Sequence, residues 1–272
     1  MLLSPSRADC IVFSVDGVLV DGAGVSAALS RTLSLSWSEL LKREASEAVD
    51  AAPYLQAARR HNIFGSRGDI AWALLSLAMK SERQHLAEAL PAPEKWEARL
   101  IAAEDGRGMD DFTSMISAAD CRTIVALYND IYFGPTDGKA PLLEDLPEGA
   151  CVLERPLFSP RWDKLPLPAG ICTSRDRDEL DCALRTLGWQ DLPKERCITS
   201  EIARKPDAAG LENLCRSLGC RWPLYLGSLP ADLELMENFG RGDFISVGTQ
   251  INHNVVKFPS AADALRAILG VV

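Results

Sequence analysis

The sequence predicts an α/β fold in which helices cover both faces of a parallel sheet and an all-α domain is inserted after the first strand. A short apolar run, Cys10–Phe13, ends at a glycine-containing turn, which is typical of a buried strand. From about Gly170 onward, short apolar runs alternate with helical stretches. Between about Val25 and Met115, apolar residues instead follow helical spacing with few strand signals. Alternating elements indicate a parallel sheet, whereas helices in series indicate a bundle.

The second half of the chain supplies most of the predicted sheet. Its strands are Gly170–Thr173, Cys197–Thr199, Leu224–Leu226 and Phe244–Val247, and its helices are Arg177–Leu187, Asp207–Leu218, Ala231–Phe239 and Ala261–Leu269. Gly188, Gly219 and Gly240 follow three of these helices, where left-handed C-caps are expected. Since strand Cys10–Phe13 has no sheet of its own nearby, we expect it to join this one.

The inserted domain is predicted from its helical pattern. Its clearest helix is Ile70–Met79, with Asp69 as the predicted N-cap, and others are predicted at Glu94–Ala103 and Ala118–Tyr132. A segment rich in proline, glycine and acidic residues leads back to the sheet, with a short strand predicted at Cys151–Leu153. We therefore divide the chain into a core of residues 1–20 and 150–272 and a helical cap with its connection, residues 21–149.

Composition limits the partners and the compartment. The 272 residues carry a formal net charge of −9 and a pI near 5.0, which argues against nucleic-acid and anionic-membrane binding. No apolar run is long enough to span a bilayer, and the N-terminus lacks the pattern of a signal peptide. The eight cysteines form no CxxC pair and there are three histidines, so zinc-ligand spacing is absent. We predict a cytoplasmic protein with reduced thiols; apolar cap surface is compatible with a homodimer.

Two polar residues at the end of the first strand mark the candidate site. Chemistry in α/β sheets takes place just beyond the carboxyl ends of the strands, and here Ser14 and Asp16 follow the strand. Alternate residues of an extended segment point the same way, so both side chains are expected to face one site.

Four segments, in order, resemble the motifs of the haloacid dehalogenase (HAD) superfamily. Ser14-Val-Asp-Gly-Val-Leu19 is similar to the first motif, in which two aspartates flank one residue. Ile171-Cys-Thr173-Ser-Arg175 is similar to the second, a strand that ends in Thr or Ser, and Lys205-Pro206 is similar to the third, a lysine before a helix. Gly227-Ser-Leu-Pro-Ala-Asp232 is similar to the fourth, GDxxxD. The resemblance covers the whole chain and implies a Rossmann-like core with a helical cap, as in the phosphatase-like branch.

The resemblance implies a magnesium-dependent phosphoryl-transfer site with two departures. In the family, the first aspartate attacks phosphorus, the second acts as acid and base, and the first acid of the fourth motif binds magnesium. Ser14 and Ser228 stand at the nucleophile and at that metal ligand. The implied catalytic residues are Ser14, Asp16, Thr173 and Lys205; the implied ligand-binding residues are Ser14, Asp16, Gly17, Thr173, Ser174, Lys205 and Ser228. Asp16 and Asp232 are the remaining carboxylates for Mg²⁺, which we expect to be weakly bound or absent.

Three functions remain open from the sequence. The first is a catalytically degenerate protein that keeps a phosphate-sized pocket for a small phosphorylated ligand or serves as a binding or regulatory protein. The second is an active phosphomonoester hydrolase that uses Ser14 as nucleophile, or water activated by Asp16. The third is an enzyme of a different reaction class on the same scaffold.

Overall fold

The chain folds into two compact units. The computed structural model describes residues 7–45, 48–61, 63–104, 112, 115–135, 144–145, 147–251 and 253–270. One unit, the α/β unit, comprises Met1–Gly22 and Glu154–Val272, and the other, the helical unit, comprises Ala23–Leu153. The boundaries thus follow residues 22 and 153, where the sequence placed them after residues 20 and 149. Residues 1–6, which bear on the signal-peptide prediction, lie outside the described part.

The helical unit contains six described α-helices. They are α1 (Ala23–Leu35, continued by a π-helical turn at Ser36–Leu40), α2 (Ala52–His61), α3 (Arg67–Met79), α4 (Leu86–Ala89), α5 (Pro93–Glu104) and α6 (Ala118–Phe133). The predicted N-cap of α3 was wrong. Ser66 is the cap: its hydroxyl accepts from the Asp69 amide, and the Asp69 carboxylate accepts from the Ser66 amide. Asp69 therefore closes a capping box from the third helical position.

The predicted strand at Cys151–Leu153 was also wrong. This segment is a 3₁₀ turn, Ala150–Leu153. Val152 and Leu153 are exposed, so the apolar run does not bury against a sheet as a strand of the core would.

The α/β unit is built on a six-stranded, all-parallel sheet, which confirms the predicted fold class. The strands are β1 (Cys10–Phe13), β2 (Ala169–Cys172), β3 (Cys197–Ile198), β4 (Pro223–Gly227), β5 (Asp243–Val247) and β6 (Lys257–Phe258), in the order β3-β2-β1-β4-β5-β6. The helices are α7 (Arg177–Leu187), α8 (Ala209–Leu218), α9 (Pro230–Phe239) and α10 (Ala261–Leu269). Strand β6 was not predicted because it has only two residues, neither of them buried.

Alternation along β1 divides the core into two layers. Ile11 and Phe13 pack on the face covered by α7 and α10. Cys10 and Val12 pack on the opposite face with α8 and α9. Successive strand residues point to opposite faces, so a four-residue strand can serve both layers. The sheet therefore has helices on both faces, as the alternating sequence pattern predicted.

The strand order fixes where functional residues gather. Strand β1 lies between β2 and β4, so the turns that follow these three strands are neighbours at one edge of the sheet. The glycines predicted as helix C-caps are confirmed, since Gly188, Gly219 and Gly240 have φ of 68°, 67° and 73°. Among the described helices, none combines the length and the apolar character needed to cross a bilayer.

We predict that Phe13→Ala destabilises the α/β unit by about 3–5 kcal/mol, because it opens a cavity in the core. The Phe13 ring centroid lies 5.2 Å from that of Phe158 and 5.9 Å from that of Trp189. Urea unfolding measures the loss. Ile202→Ala, at a side chain 58% exposed, is the control and should change stability by no more than about 0.5 kcal/mol. Equal losses in both variants would contradict the assignment of Phe13 to the core.

Candidate functional site

The candidate site lies at the carboxyl edge of the sheet. Ser14 and Asp16 follow β1, Thr173 follows β2 and Ser228 follows β4. Lys205 precedes α8, and Asp232 lies in the first turn of α9. These six side chains come from four segments of the chain, and none of them is more than 6% exposed. Burial of so many polar groups requires that each find a partner.

Lys205 connects the β1 turn to helix α9. Its Nζ donates to Ser14 Oγ at 3.1 Å and to Asp232 Oδ1 at 2.5 Å. The same ammonium lies 5.6 Å from the centroid of the Tyr225 ring. Lys205 is 5% exposed, so its charge is balanced inside the protein by Asp232.

The Asp232 carboxylate is hydrogen-bonded to two backbone amides and to the Tyr225 side chain, in addition to Lys205. Its Oδ2 accepts from the backbone amides of Ser228 and Leu229, at 2.9 and 3.0 Å. Its Oδ1 lies 3.1 Å from the Tyr225 hydroxyl, which also lies 3.1 Å from the Cys172 carbonyl. Burial raises the pKa of Tyr225 well above its usual value, so the hydroxyl keeps its proton and remains a donor.

Gly227 permits the close approach of Asp232 to the end of β4. A Cβ on Gly227 would lie 2.5 Å from the Asp232 Cβ, closer than real side chains come. The glycine therefore lets Asp232 reach the two amides that follow the strand.

Ser228 binds the backbone of the β1 turn. Its hydroxyl donates to the Asp16 carbonyl oxygen at 2.7 Å. Gly17, the next residue, has φ of 73° and lies directly beneath this contact, since a Cβ there would be 3.2 Å from Ser228 Oγ. The Ser228 hydroxyl thus links the turn after β4 to the turn after β1 through a backbone carbonyl oxygen.

The Asp16 carboxylate forms an ion pair with a buried arginine. Arg175 Nη2 lies 2.9 Å from Asp16 Oδ1, and its Nε lies 3.4 Å from Oδ2. The same guanidinium makes two bonds to Glu154, at 2.9 and 3.0 Å, and one to the Glu179 carbonyl, at 3.2 Å. Arg175 is 0% exposed, so its charge is shared between two buried carboxylates.

The predicted site residues fall into two hydrogen-bonded groups. Ser14 is bonded to Lys205, which is paired with Asp232, whereas the Asp16 carboxylate is paired with Arg175. Ser228 links the two groups, because its amide donates to Asp232 and its hydroxyl donates to the Asp16 carbonyl. Thr173 Oγ1 accepts from the Arg175 amide at 3.1 Å, so it also shapes the turn, and Ser174 is half-buried beside it. We expected Ser14 and Asp16 to face one site; in the structure the two side chains are hydrogen-bonded to different partners, Lys205 and Arg175.

Three residues of the site were missed from the sequence: Arg175, Glu154 and Tyr225. Tyr225 reads as an ordinary strand residue, and Glu154 lies in an irregular segment with no periodicity to interpret. Arg175 carried a usable signal, because it ends the segment that resembles the second motif, in the turn after β2, but it was not assigned to the site. Together, three carboxylates (Asp16, Glu154, Asp232) and two cations (Arg175, Lys205) give these paired groups a formal charge of 2 − 3 = −1.

Comparison with known proteins identifies the fold. No family model matches the chain, and no curated protein matches it. Among solved structures, the phosphatase Tt82 from Thermococcus thioreducens superposes with a TM-score of 0.64 at 22% identity, covering 96% of this chain and 99% of that one. A HAD-superfamily hydrolase of subfamily IA from Geobacter sulfurreducens gives a TM-score of 0.51 at 14% identity, with 97% of each chain covered. The chain therefore has the fold of HAD-superfamily hydrolases.

We predict that Arg175→Met destabilises the protein by about 3–5 kcal/mol at neutral pH, because it leaves Asp16 and Glu154 buried without a counter-ion. Urea unfolding measures the loss. Arg266→Met removes an exposed pair with Asp263 and serves as the control, with an expected loss of about 0.5 kcal/mol or less. Adding Glu154→Gln to Arg175→Met should recover part of the lost stability. A loss in Arg175→Met no larger than the control's would contradict the buried ion pairs.

Proposed function

We propose that this protein is a catalytically degenerate member of its structural class: it acts by binding or regulation, takes a small phosphorylated molecule as ligand, and does not hydrolyse phosphate esters. The observation that carries the proposal is the pairing at Ser14. A hydroxyl stands where the resemblance places the nucleophilic aspartate, and the group in contact with it is the Lys205 ammonium.

The contacts of Ser14 do not favour an active hydroxyl nucleophile. A serine hydroxyl needs a neighbouring base to remove its proton. Lys205 Nζ donates to the Asp232 carboxylate at 2.5 Å, and a lysine ammonium has no lone pair with which to accept a proton. The Asp16 carboxylate is engaged by Arg175. The alternative of a phosphatase that uses Ser14, or water activated by Asp16, therefore has less support.

The side chains at the expected metal position do not fit magnesium. Mg²⁺ prefers hard, anionic oxygen ligands in a near-octahedral array. Ser14 and Ser228 are neutral, and the Ser228 hydroxyl donates to the Asp16 carbonyl, so one lone pair of that oxygen is already engaged. Asp232 is bonded to two amides and to Lys205, so a divalent cation there would meet an ammonium group. We therefore propose a protein that works without magnesium.

Lys205 is the group proposed to receive a phosphate. If the ammonium turned from Asp232 to an anion, the carboxylate would keep the amides of Ser228 and Leu229 and its contact with the Tyr225 hydroxyl. The exchange would therefore not leave a buried carboxylate without partners. Because the surrounding ion pairs carry a formal charge of −1, binding of a phosphate dianion is expected to be weak and sensitive to salt.

We predict that restoring two aspartates restores the metal-dependent chemistry. The wild type should release no phosphate from a generic aryl phosphate, with or without Mg²⁺, and Mg²⁺ should not raise its Tm. Ser14→Asp with Ser228→Asp should gain both properties, because it supplies two anionic oxygen ligands and the nucleophile. Ser14→Asn with Ser228→Asn is the matched control, with similar volume and no added charge, and should gain neither.

Turnover by the wild type would overturn the degenerate function. Ser14→Ala and Asp16→Asn would then show which group takes part in the reaction. Consumption of a substrate without phosphate release would instead support an enzyme of a different reaction class.

We predict that inorganic phosphate raises the Tm of the wild type and not that of Lys205→Met, because the ligand selectively stabilises the folded state that binds it. Lys164→Met removes an exposed lysine and should respond like the wild type. Sodium chloride at equal ionic strength controls for electrostatic screening. Equal stabilisation of all three proteins by phosphate would contradict a ligand site at Lys205.

A further inference from the structure

Three buried cysteines meet at the opposite end of β1 from the candidate site. Cys10 begins β1, Cys215 lies in the last turn of α8, and Cys220 lies in the loop that leads to β4. Their sulfur atoms all lie within 4.8 Å of one another, and the Cys10 and Cys220 sulfurs are 2.7 Å apart. The three residues are 0%, 1% and 8% exposed. Positions 10, 215 and 220 show no ligand spacing in the sequence, so only the fold brings them together.

The surroundings of this three-cysteine cluster favour a soft metal ion over a hard one. The cluster lies in the apolar layer that also contains Leu214 and Phe239. The nearby Asp9 carboxylate is already engaged, because its two oxygens accept from the amides of Arg221 and Trp222 at 2.8 and 2.9 Å. Among the described residues, the cluster therefore consists of three sulfur ligands and includes no oxygen ligand.

The pKa values of the three thiols are shifted in different directions. The hydrogen bond from Cys10 lowers the pKa of the Cys215 thiol, and the positive charge of Arg241 acts in the same direction. Burial raises the pKa of Cys220 to about 12, and the bond with Cys215 raises that of Cys10. Thiolates are the form that binds metals, so metal binding would release the thiol protons to solvent.

We propose that Cys10, Cys215 and Cys220 bind one monovalent copper ion. Sulfur ligands select soft metals, of which Cu(I) is one. Structural zinc takes four ligands in almost all cases, whereas this cluster supplies three. Cys220, the most exposed of the three, provides the route of entry. The site lies at the amino end of β1, about 13 Å of strand from Ser14, and is independent of the proposed function.

The test is a titration of the reduced full-length protein with Cu(I) under anaerobic conditions, in competition with a chromogenic Cu(I) chelator. The wild type is expected to take about one copper ion per chain from the chelator and to show a raised Tm. Cys215→Ser and Cys220→Ser should each lose this uptake. Cys182→Ser, at a buried cysteine outside the cluster, is the matched control and should behave like the wild type.

Two results would overturn the copper site. One is a wild type that takes no copper from the chelator; the other is uptake by Cys220→Ser equal to that of the wild type. Far-UV circular dichroism checks the fold of each variant. Cys220 lies in a loop and is the most exposed of the three, so its serine variant is expected to fold and decides the question even if Cys215→Ser does not.

Discussion

The ion pairs of Arg175 hold the carboxyl edge of the sheet together. One fully buried guanidinium joins the turn after β1, through Asp16, to the segment that enters the α/β unit, through Glu154. Such a group is stable only when all its members are present, because a single buried charge costs more than the pair gains. The geometry of the β1 turn, and with it the position of Ser14 and of the Asp16 carbonyl, therefore depends on a residue that belongs to neither β1 nor the first motif.

A second ion pair fixes the other half of the site. Lys205 and Asp232 neutralise each other, and Asp232 in turn binds the amides that follow β4. The two ion-paired groups meet at Ser228, whose amide donates to Asp232 and whose hydroxyl donates to the Asp16 carbonyl. Polar groups that are buried this deeply form a connected network, and a change at one position is expected to affect its neighbours.

The sequence predicted the fold well because its signals are local. Helix Arg177–Leu187 and its C-cap Gly188 were predicted to the residue, since a polar start, an amphipathic middle and a terminal glycine lie within twelve residues. The site was harder to predict because its contacts are long-range. Glu154 and Asp16 meet on Arg175 across 21 and 159 positions, and no periodicity links them. For the same reason, Cys10 and Cys220 were read as separate core thiols although they are in contact.

The hydroxyl groups of Ser14 and Ser228 suit a site without magnesium, which is the site that we propose. A carboxylate at position 228 would face the Asp16 carbonyl across a hydrogen-bond distance, and two acceptors without a cation between them repel each other. A serine there supplies a proton, so the carbonyl oxygen gains a hydrogen-bond donor. At position 14, the serine adds no charge beside Lys205, and the pair of Lys205 with Asp232 remains neutral. Carboxylates at positions 14 and 228 would add two negative charges to ion-paired groups that already carry a formal charge of −1, and serines at both positions avoid this addition.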